Sequence, residues 1–347
     1  MTKVSIIINN YNYGNFIEDA IISALNQNLS QTQLIVVDDG SSDNSRSIID
    51  NYKDRVDFLY QENGGQASAL NAGFLLADGD IIIFLDSDDR LHANCASEVV
   101  AAWRPGVSKI NYNLEIIDGL GNNEGIRYFK EDLPRGNLKE QTLFTGMVAS
   151  PPMTANAFSR SFLERVMPIP ETLWRSAADV YLFSLATLCG EIVAIDKNLG
   201  EYRVHNSNDS KPIKNGKISR GWIDNIVKRE FETDKAIADF ARSSGLPYTP
   251  GTITSGLAHI QLKMIFIITH SLSRKGLLLT ALTALKRQKI SAFKSAAIAV
   301  WTVMVCILPR PIAEEVAKHG MKHGFVLAIN RKLLKQDKRD AMAHADP

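Results

Sequence analysis

IIIFLDSDD, residues Ile81–Asp89, runs five apolar residues directly into three carboxylates within four positions. The apolar half has the length and composition of a buried strand. Like charges crowded on an exposed turn cost little, because water screens them. At the end of a buried strand they need a purpose. One purpose is a turn and helix cap, where Asp satisfies free N–H groups and suits the helix dipole. The other is a hard cation, which oxygen-rich carboxylate clusters hold well. This stretch alone leaves both open.

The segments before it set the frame. Val4–Ile8, Leu34–Val37 and Val56–Tyr60 read as three further strands. Helical spacing of apolar residues covers Phe16–Gln27, Asp43 caps a helix reaching about Tyr52, and Gly65–Leu76 forms a third. Short apolar strands alternating with helices predict βαβ units and a mostly parallel sheet covered on both faces. The rhythm changes after Trp103. Ser108–Ile117 and a segment around Arg127–Phe129 read as strands joined at DGLGNN (Asp118–Asn123). Phe162–Arg165 and Val180–Cys189 read as helices, and Ile192–Ile195 and Glu201–Val204 as two strands. From about Ile218 onward the pattern is helical, and the last residues are polar and read as disordered. The expected division is residues 1–215, a helical region 216–340 and a tail 341–347.

Ligands of open parallel sheets sit at the carboxyl ends of the strands. Those ends carry NNYNYGNF (Asn9–Phe16), DDGSSD (Asp38–Asp43), ENGGQASALNAG (Glu62–Gly73) and DSDD (Asp86–Asp89). All lie on one edge, forming a crevice of carboxylates, amides and an aromatic ring. No GxGxxG follows the first strand and no GxxxxGK[ST] occurs, which disfavours a dinucleotide fold and excludes a P-loop. A phosphate ligand in so acidic a crevice needs a cation, and this turns the first stretch toward metal binding.

With Ala177–Leu182 (AADVYL) and Tyr202–Ser210 (YRVHNSNDS), these stretches resemble, in order and spacing, an inverting family 2 glycosyltransferase of the GT-A fold. The resemblance covers about residues 3–210. It implies that Asp39 hydrogen-bonds the nucleotide base, usually uracil, with Asp38 supporting the turn and Tyr11 along the base. Asn63, Gly64 and Gln66 would line the nucleotide side. Asp86 and Asp88 match the family's DxD motif, with Asp86 toward ribose or donor sugar and Asp88 on Mn2+ or Mg2+. His205 matches a histidine completing that site, and Asp179 the catalytic base. Two departures stand out: the usual Pro closing the first strand is replaced by Asn9 or Asn10, and the usual Glu before the base is Ala178. Trp174 reads either as an acceptor-sugar contact or as core.

Inverting transfer needs one carboxylate to take the acceptor hydroxyl's proton and charge stabilisation on the leaving nucleoside diphosphate. A UDP-sugar donor and a glycan or lipid-linked acceptor in polysaccharide synthesis follow from the resemblance. The alternatives are a sugar nucleotidyltransferase, disfavoured by the missing basic Gly-rich loop, and a non-catalytic sugar-nucleotide-binding or scaffold protein, for which Ala178 speaks.

Composition adds a location. The 347 residues are 45% apolar and 22% charged, ordinary for a folded chain. Cys95, Cys189 and Cys306 are scattered and odd in number, so no disulfide framework or zinc site is expected. The N-terminus reads as a strand, not a signal peptide. Residues 251–347 hold 15 Lys and Arg against 5 Asp and Glu. A basic, aliphatic tail suits an anionic membrane surface better than nucleic acid. Ser295–Leu308 is uncharged but too short to span a bilayer. A cytoplasmic enzyme peripheral at the inner membrane face is the expectation.

Overall fold

The computed structural model describes residues 2–130, 132–205, 213–214, 217–218 and 220–253, with 300, 303–304, 306–309 and 311–313. Elements follow in chain order: β1 (Val4–Asn10), α1 (Ile17–Leu25), β2 (Thr32–Asp38), α2 (Ser45–Asp50), β3 (Asp57–Tyr60), α3 (Gln66–Leu76) and β4 (Ile81–Asp86). Then come β5 (Arg90–Leu91), α4 (Cys95–Ala102), β6 (Val107–Asp118), β7 (Asn123–Arg127), α5 (Lys139–Thr145), β8 (Asn156–Ser159) and α6 (Arg160–Val166). The rest are α7 (Ala178–Cys189), β9 (Glu191–Val204), β10 (Ile213–Lys214), β11 (Lys217–Ile218) and α8 (Arg220–Ser243). The chain divides into two compact units, Met1–Asp209 with Ala236–Tyr248, and Ser210–Lys235 with Thr249–Pro347. Every site residue discussed below belongs to the first.

Its sheet runs β3-β2-β1-β4-β8-β6-β9-β5, with β7 on β6. The first four strands are mutually parallel. β8 is antiparallel to both β4 and β6, while β9 runs parallel to β6. The fold is α/β, a parallel half continued by a mixed half. Strand alternation sorts the core. Val4, Ile6, Ile8, Leu34, Val36, Ile81, Ile83 and Leu85 pack with Ile17, Ile21, Ile49 and Val99 of α1, α2 and α4. The opposite face, with Ile7 and Val37, receives α3 at Gly73, where an added Cβ would lie 2.4 Å from the Ile7 Cγ2. Each fully buried Ile or Val contributes roughly 1.5–3 kcal/mol.

Three local expectations change. Residues 192–195 and 201–204 belong to one strand, β9. Between Ala194 and Asn198 it bulges against Asn111–Asn113 of β6. The bulge turns Asp196 and Lys197 to solvent, where they pair with Arg135 and Glu98. β7 lies at Asn123–Arg127, ahead of the expected segment, and Tyr128 N bonds to Leu114 O. The second unit contains a short antiparallel strand pair, β10 with β11, that the sequence pattern does not show. Most of the tail, including much of Ser295–Leu308, lies outside the described residues. No helix among the described residues is long and apolar enough to cross a membrane.

Candidate active site

Strand register builds the acidic edge. Asn9 of β1 stands beside Asp86 of β4, and Asn10 beside Asp38 of β2. Asn10 Nδ2 donates to Asp38 Oδ1 at 2.8 Å and Arg46 Nε to Asp38 Oδ2 at 3.0 Å. Asp38 is fully buried, so these bonds offset the loss of its hydration. The loop after β1 takes a left-handed turn at Asn12 (φ 58°), whose Oδ1 accepts from Ser42 N at 2.7 Å. Tyr11, in the same loop, is 48% exposed. Asp38 Oδ2 also accepts from Ser41 N at 3.2 Å within the turn that follows β2.

Asp39 anchors the next loop. Its carboxylate accepts from Gln61 Nε2 (2.7 Å), Asn63 Nδ2 (3.1 Å), Gly64 N (2.8 Å) and Gly65 N (2.7 Å). Four donors fill the four in-plane acceptor positions of a carboxylate. Gly65 has φ +90°, and a Cβ there would strike Arg175. Arg175 Nη2 in turn donates to Asn63 O and Oδ1. Gln66 N bonds to Arg175 O at 2.8 Å, and Gln66 Oε1 accepts from Ala178 N at 3.0 Å. Gln66 therefore satisfies an orphan donor at the start of α7. The loop that carries Asn63, Gly64 and Gln66 is clamped between Asp39 and the helix bearing Asp179.

The third cluster follows β4. Asp88 Oδ2 lies 3.0 Å from His205 Nε2, and the imidazole packs on Phe16 (4.7 Å) and Tyr13 (5.8 Å). Asp89 is buried, taking Thr154 Oγ1 at 2.6 Å and Arg203 N at 3.0 Å. Loss of hydration, then Asp88 and Asp86, push its carboxyl well above the usual range. Asp86 is raised likewise, by loss of hydration first, then by the charges of Asp88 and Asp179. Asp179 lies in the first turn of α7, near enough for its charge to act on Asp86. The preceding Ala177 adopts a left-handed conformation, φ 59°, which directs the turn. Ala178 is fully buried, so an acid there would be a buried charge.

Trp174, 1% exposed, is core, packed 5.7 Å from the Tyr181 ring; it does not face an acceptor. Three contributors were not anticipated. Arg203, 2% exposed, ties the acidic turn together: Nε donates to Asp88 O (2.8 Å) and Nη2 to Asp19 (2.7 Å). Arg175 is the clamp described above. Lys109 of β6 is buried, its Nζ 4.7 Å from the centre of the Phe183 ring on α7. The sequence signal for Arg203 was weak, a basic residue two before His205. Outside this edge, His92, Glu115 and Glu201 also converge within 4.8 Å. Glu201 is already paired with Arg90 at 2.6 Å, and Glu115 accepts from Asn123 and Asn198.

Residues 5–165 match the family model described as Glycosyl transferase family 2. The chain carries a glycosyl transferase family 2 domain. An uncharacterised glycosyltransferase of Nostoc sp. is 35% identical over 215 residues, 60% of this chain and 66% of that protein. One from Rickettsia prowazekii is 38% identical over 125 residues, 36% of this chain and 35% of its own. The chain thus spans about two thirds of the first relative and about a third of the second. Among solved structures, S. aureus TarS 1-349 superposes with a TM-score of 0.55 at 18% identity, covering 92% of each chain. The same protein has been solved in complex with UDP-GlcNAc and with UDP. The likeness establishes the GT-A type of fold.

Proposed function

We propose that the chain is an inverting glycosyltransferase that moves a sugar from a nucleoside-diphosphate donor, a UDP-sugar by preference, to a hydroxyl of a glycan or lipid-linked acceptor. One observation supports this reading: the charge of Asp179, in the first turn of α7, acts on Asp86 at the end of β4. An inverting displacement calls for that pairing, a base beside the carboxylates that face the diphosphate.

The family reading includes Mn2+ or Mg2+. The donor types suit such an ion, two carboxylates and an imidazole; Asp88 and His205 are paired with each other at 3.0 Å, and Asp86 does not converge with both of them within 4.8 Å, so it would have to move toward the ion. Asp88, Asp86 and His205 would hold it, and when bound it would supply charge stabilisation for the departing diphosphate. The protein's own groups do the rest. Asp179 accepts the proton of the acceptor hydroxyl as that oxygen attacks the anomeric carbon, so no covalent sugar intermediate and no second carboxylate nucleophile are needed. Tyr11 offers a face to the base. Asn63 and Gly64 line its edge, held there by Asp39. For Asp39 itself to read the base, one of its four present donors must yield. Gln66 fixes the start of α7, and with it the distance from nucleotide to base.

The acceptor side rests on the tail. Its 15 basic against 5 acidic residues support peripheral contact with the anionic inner face of a membrane, where a lipid-linked acceptor resides. Titration of the full chain with UDP, with and without Mn2+, tests the donor site. Binding that strengthens with Mn2+, and loses that dependence in Asp88→Ala, is expected. Absence of binding by UDP, GDP and dTDP alike would remove the reading.

A further inference from the structure

Away from the catalytic edge, one group among the described residues brings three metal-ligating side chains within 4.8 Å of one another: His92, Glu115 and Glu201, each half-buried. They come from three neighbouring strands. Glu115 of β6 stands directly beside Glu201 of β9, Glu201 faces Arg90 of β5, and His92 follows β5 with its backbone N on Leu199 O at 2.9 Å. Leu91 and Leu114 turn into the main core, so Arg90, His92 and Glu115 point to the other face. Carboxylates opposite each other on adjacent strands repel. Arg90 Nε, 2.6 Å from Glu201 Oε2, answers one of them. Glu115 has amides alone: Asn198 Nδ2 on Oε1 at 2.9 Å and Asn123 Nδ2 on Oε2 at 2.6 Å. Three unused donor atoms accompany this pair. His92 Nδ1 is 3.2 Å from Asn198 O, and a carbonyl only accepts, so Nδ1 carries the proton and Nε2 presents its lone pair. Metal-binding imidazoles are held in this way, through the other ring nitrogen. Glu201 Oε1 has no hydrogen bond among the described residues. Asn198 Oδ1 is closed off from solvent and has no hydrogen-bond partner there, although the same amide reaches Glu115. An acceptor left so is destabilising until a donor or a cation meets it.

We propose that His92, Glu115 and Glu201 form a binding site for one divalent cation of the Zn2+ type, separate from the catalytic edge. An imidazole with two carboxylates suits a borderline ion such as Zn2+, whereas Mg2+ and Ca2+ prefer oxygen alone. Glu201 has an oxygen for each cation: Arg90 holds Oε2, and Oε1 is left for the ion. The ion balances the facing carboxylates and gives the Asn198 amide oxygen a positive neighbour. Its role is structural. β5 is two residues long and begins directly after Asp89. A cation shared by His92, Glu201 and Glu115 clasps this short edge strand to β9 and β6, and so fixes the chain where it leaves the acidic turn.

Titration of the EDTA-stripped full chain with Zn2+ tests the site, in an Asp88→Ala background so that binding at the catalytic edge is not counted. The chain has seven histidines, so the variants, not the stoichiometry, assign the site. His92→Ala, Glu115→Gln and Glu201→Gln should each weaken one equivalent of binding by at least about tenfold, the loss that even an outer partner of a metal ligand produces. The two Gln variants keep side-chain size and are expected to fold; metal-free melting close to that of the parent confirms it. With 15N-labelled histidine, the His92 ring signals are identified by their loss in His92→Ala. Zn2+ should shift them with the Nδ1 proton retained. Saturating Zn2+ should also raise the melting temperature of Asp88→Ala, and that rise should vanish when Glu115→Gln is added. Loss of binding in His92→Ala alone, with both Gln variants binding as the parent does, would overturn the site and leave an adventitious surface imidazole. His92 signals that ignore Zn2+ would overturn it outright. Neither result bears on the transferase reading, which the UDP titration tests.

Discussion

Asp86 gains nothing from its own neighbourhood: hydration is lost, and Asp88 and Asp179 add negative charge. Its folded-state pKa is raised, so between the unfolded value near 3.8 and the folded one the native protein binds more protons than the unfolded chain. Its contribution to stability then falls as pH rises through that window and is at its least favourable at neutral pH. Asp86→Asn should therefore melt higher than wild type at pH 7 in EDTA, with the gap closing as the pH approaches 4; equal melting curves throughout would deny the strain. The same substitution should abolish transfer, a stability gain at the expense of function. Gly65 is the second residue-scale case. Its positive φ and the Arg175 side chain leave no place for a methyl group. Gly65→Ala should loosen the Asp39 clamp and weaken UDP binding at least several-fold, measured by titration, while the sheet core stays intact.

The parallel half was legible because three of its four strands carry apolar runs that end in polar residues and α1 keeps a clean 3.6 period, although the apolar residues of α3 are spread around the helix. Its helices begin and end within two residues of the pattern. One refinement is physical: Asp43 does not cap α2 from the cap position, held by Asn44, but accepts from Ser45 N at 3.0 Å and Gly14 N at 2.8 Å. The mixed half was harder. β9 read as two strands because Asp196-Lys197-Asn198 breaks the apolar pattern; in the fold those residues occupy a bulge, which sequence alternation cannot distinguish from a loop. Lys109 was passed over for a related reason. Alternating Lys, Asn, Asn on a strand reads as a solvated face, and only the covering of that face by α7 and the 128–152 segment buries it. Packing of α3 gives the element-scale prediction. Gly73→Ala sets a methyl against Ile7 and Val37 in a filled interior and should cost about 1–3 kcal/mol by urea unfolding. A neutral result would mean that α3 can shift away from the sheet.

At the scale of the molecule, the proposed function orders the site along the edge: Tyr11, Asp39 and Asn63 for the nucleotide, Asp86, Asp88 and His205 for the diphosphate, Asp179 for the acceptor. Most residues of the first two groups follow strand ends, which is how the sequence singled them out. It could not show what joins them to the third, because the ties through Arg175 and Gln66 are side-chain contacts to backbone across more than a hundred positions. Outside the edge, the basic tail predicts salt-sensitive binding of the full chain to anionic vesicles, measured by co-sedimentation; equal binding to neutral vesicles would contradict it. The most direct measurement of the central claim pairs binding with turnover in Asp179→Asn: UDP affinity by titration, and UDP release from a panel of UDP-sugars with a candidate acceptor. The account requires wild-type UDP affinity with turnover reduced by about 10²–10⁴. Full turnover in Asp179→Asn, or loss of UDP binding together with turnover, would contradict it.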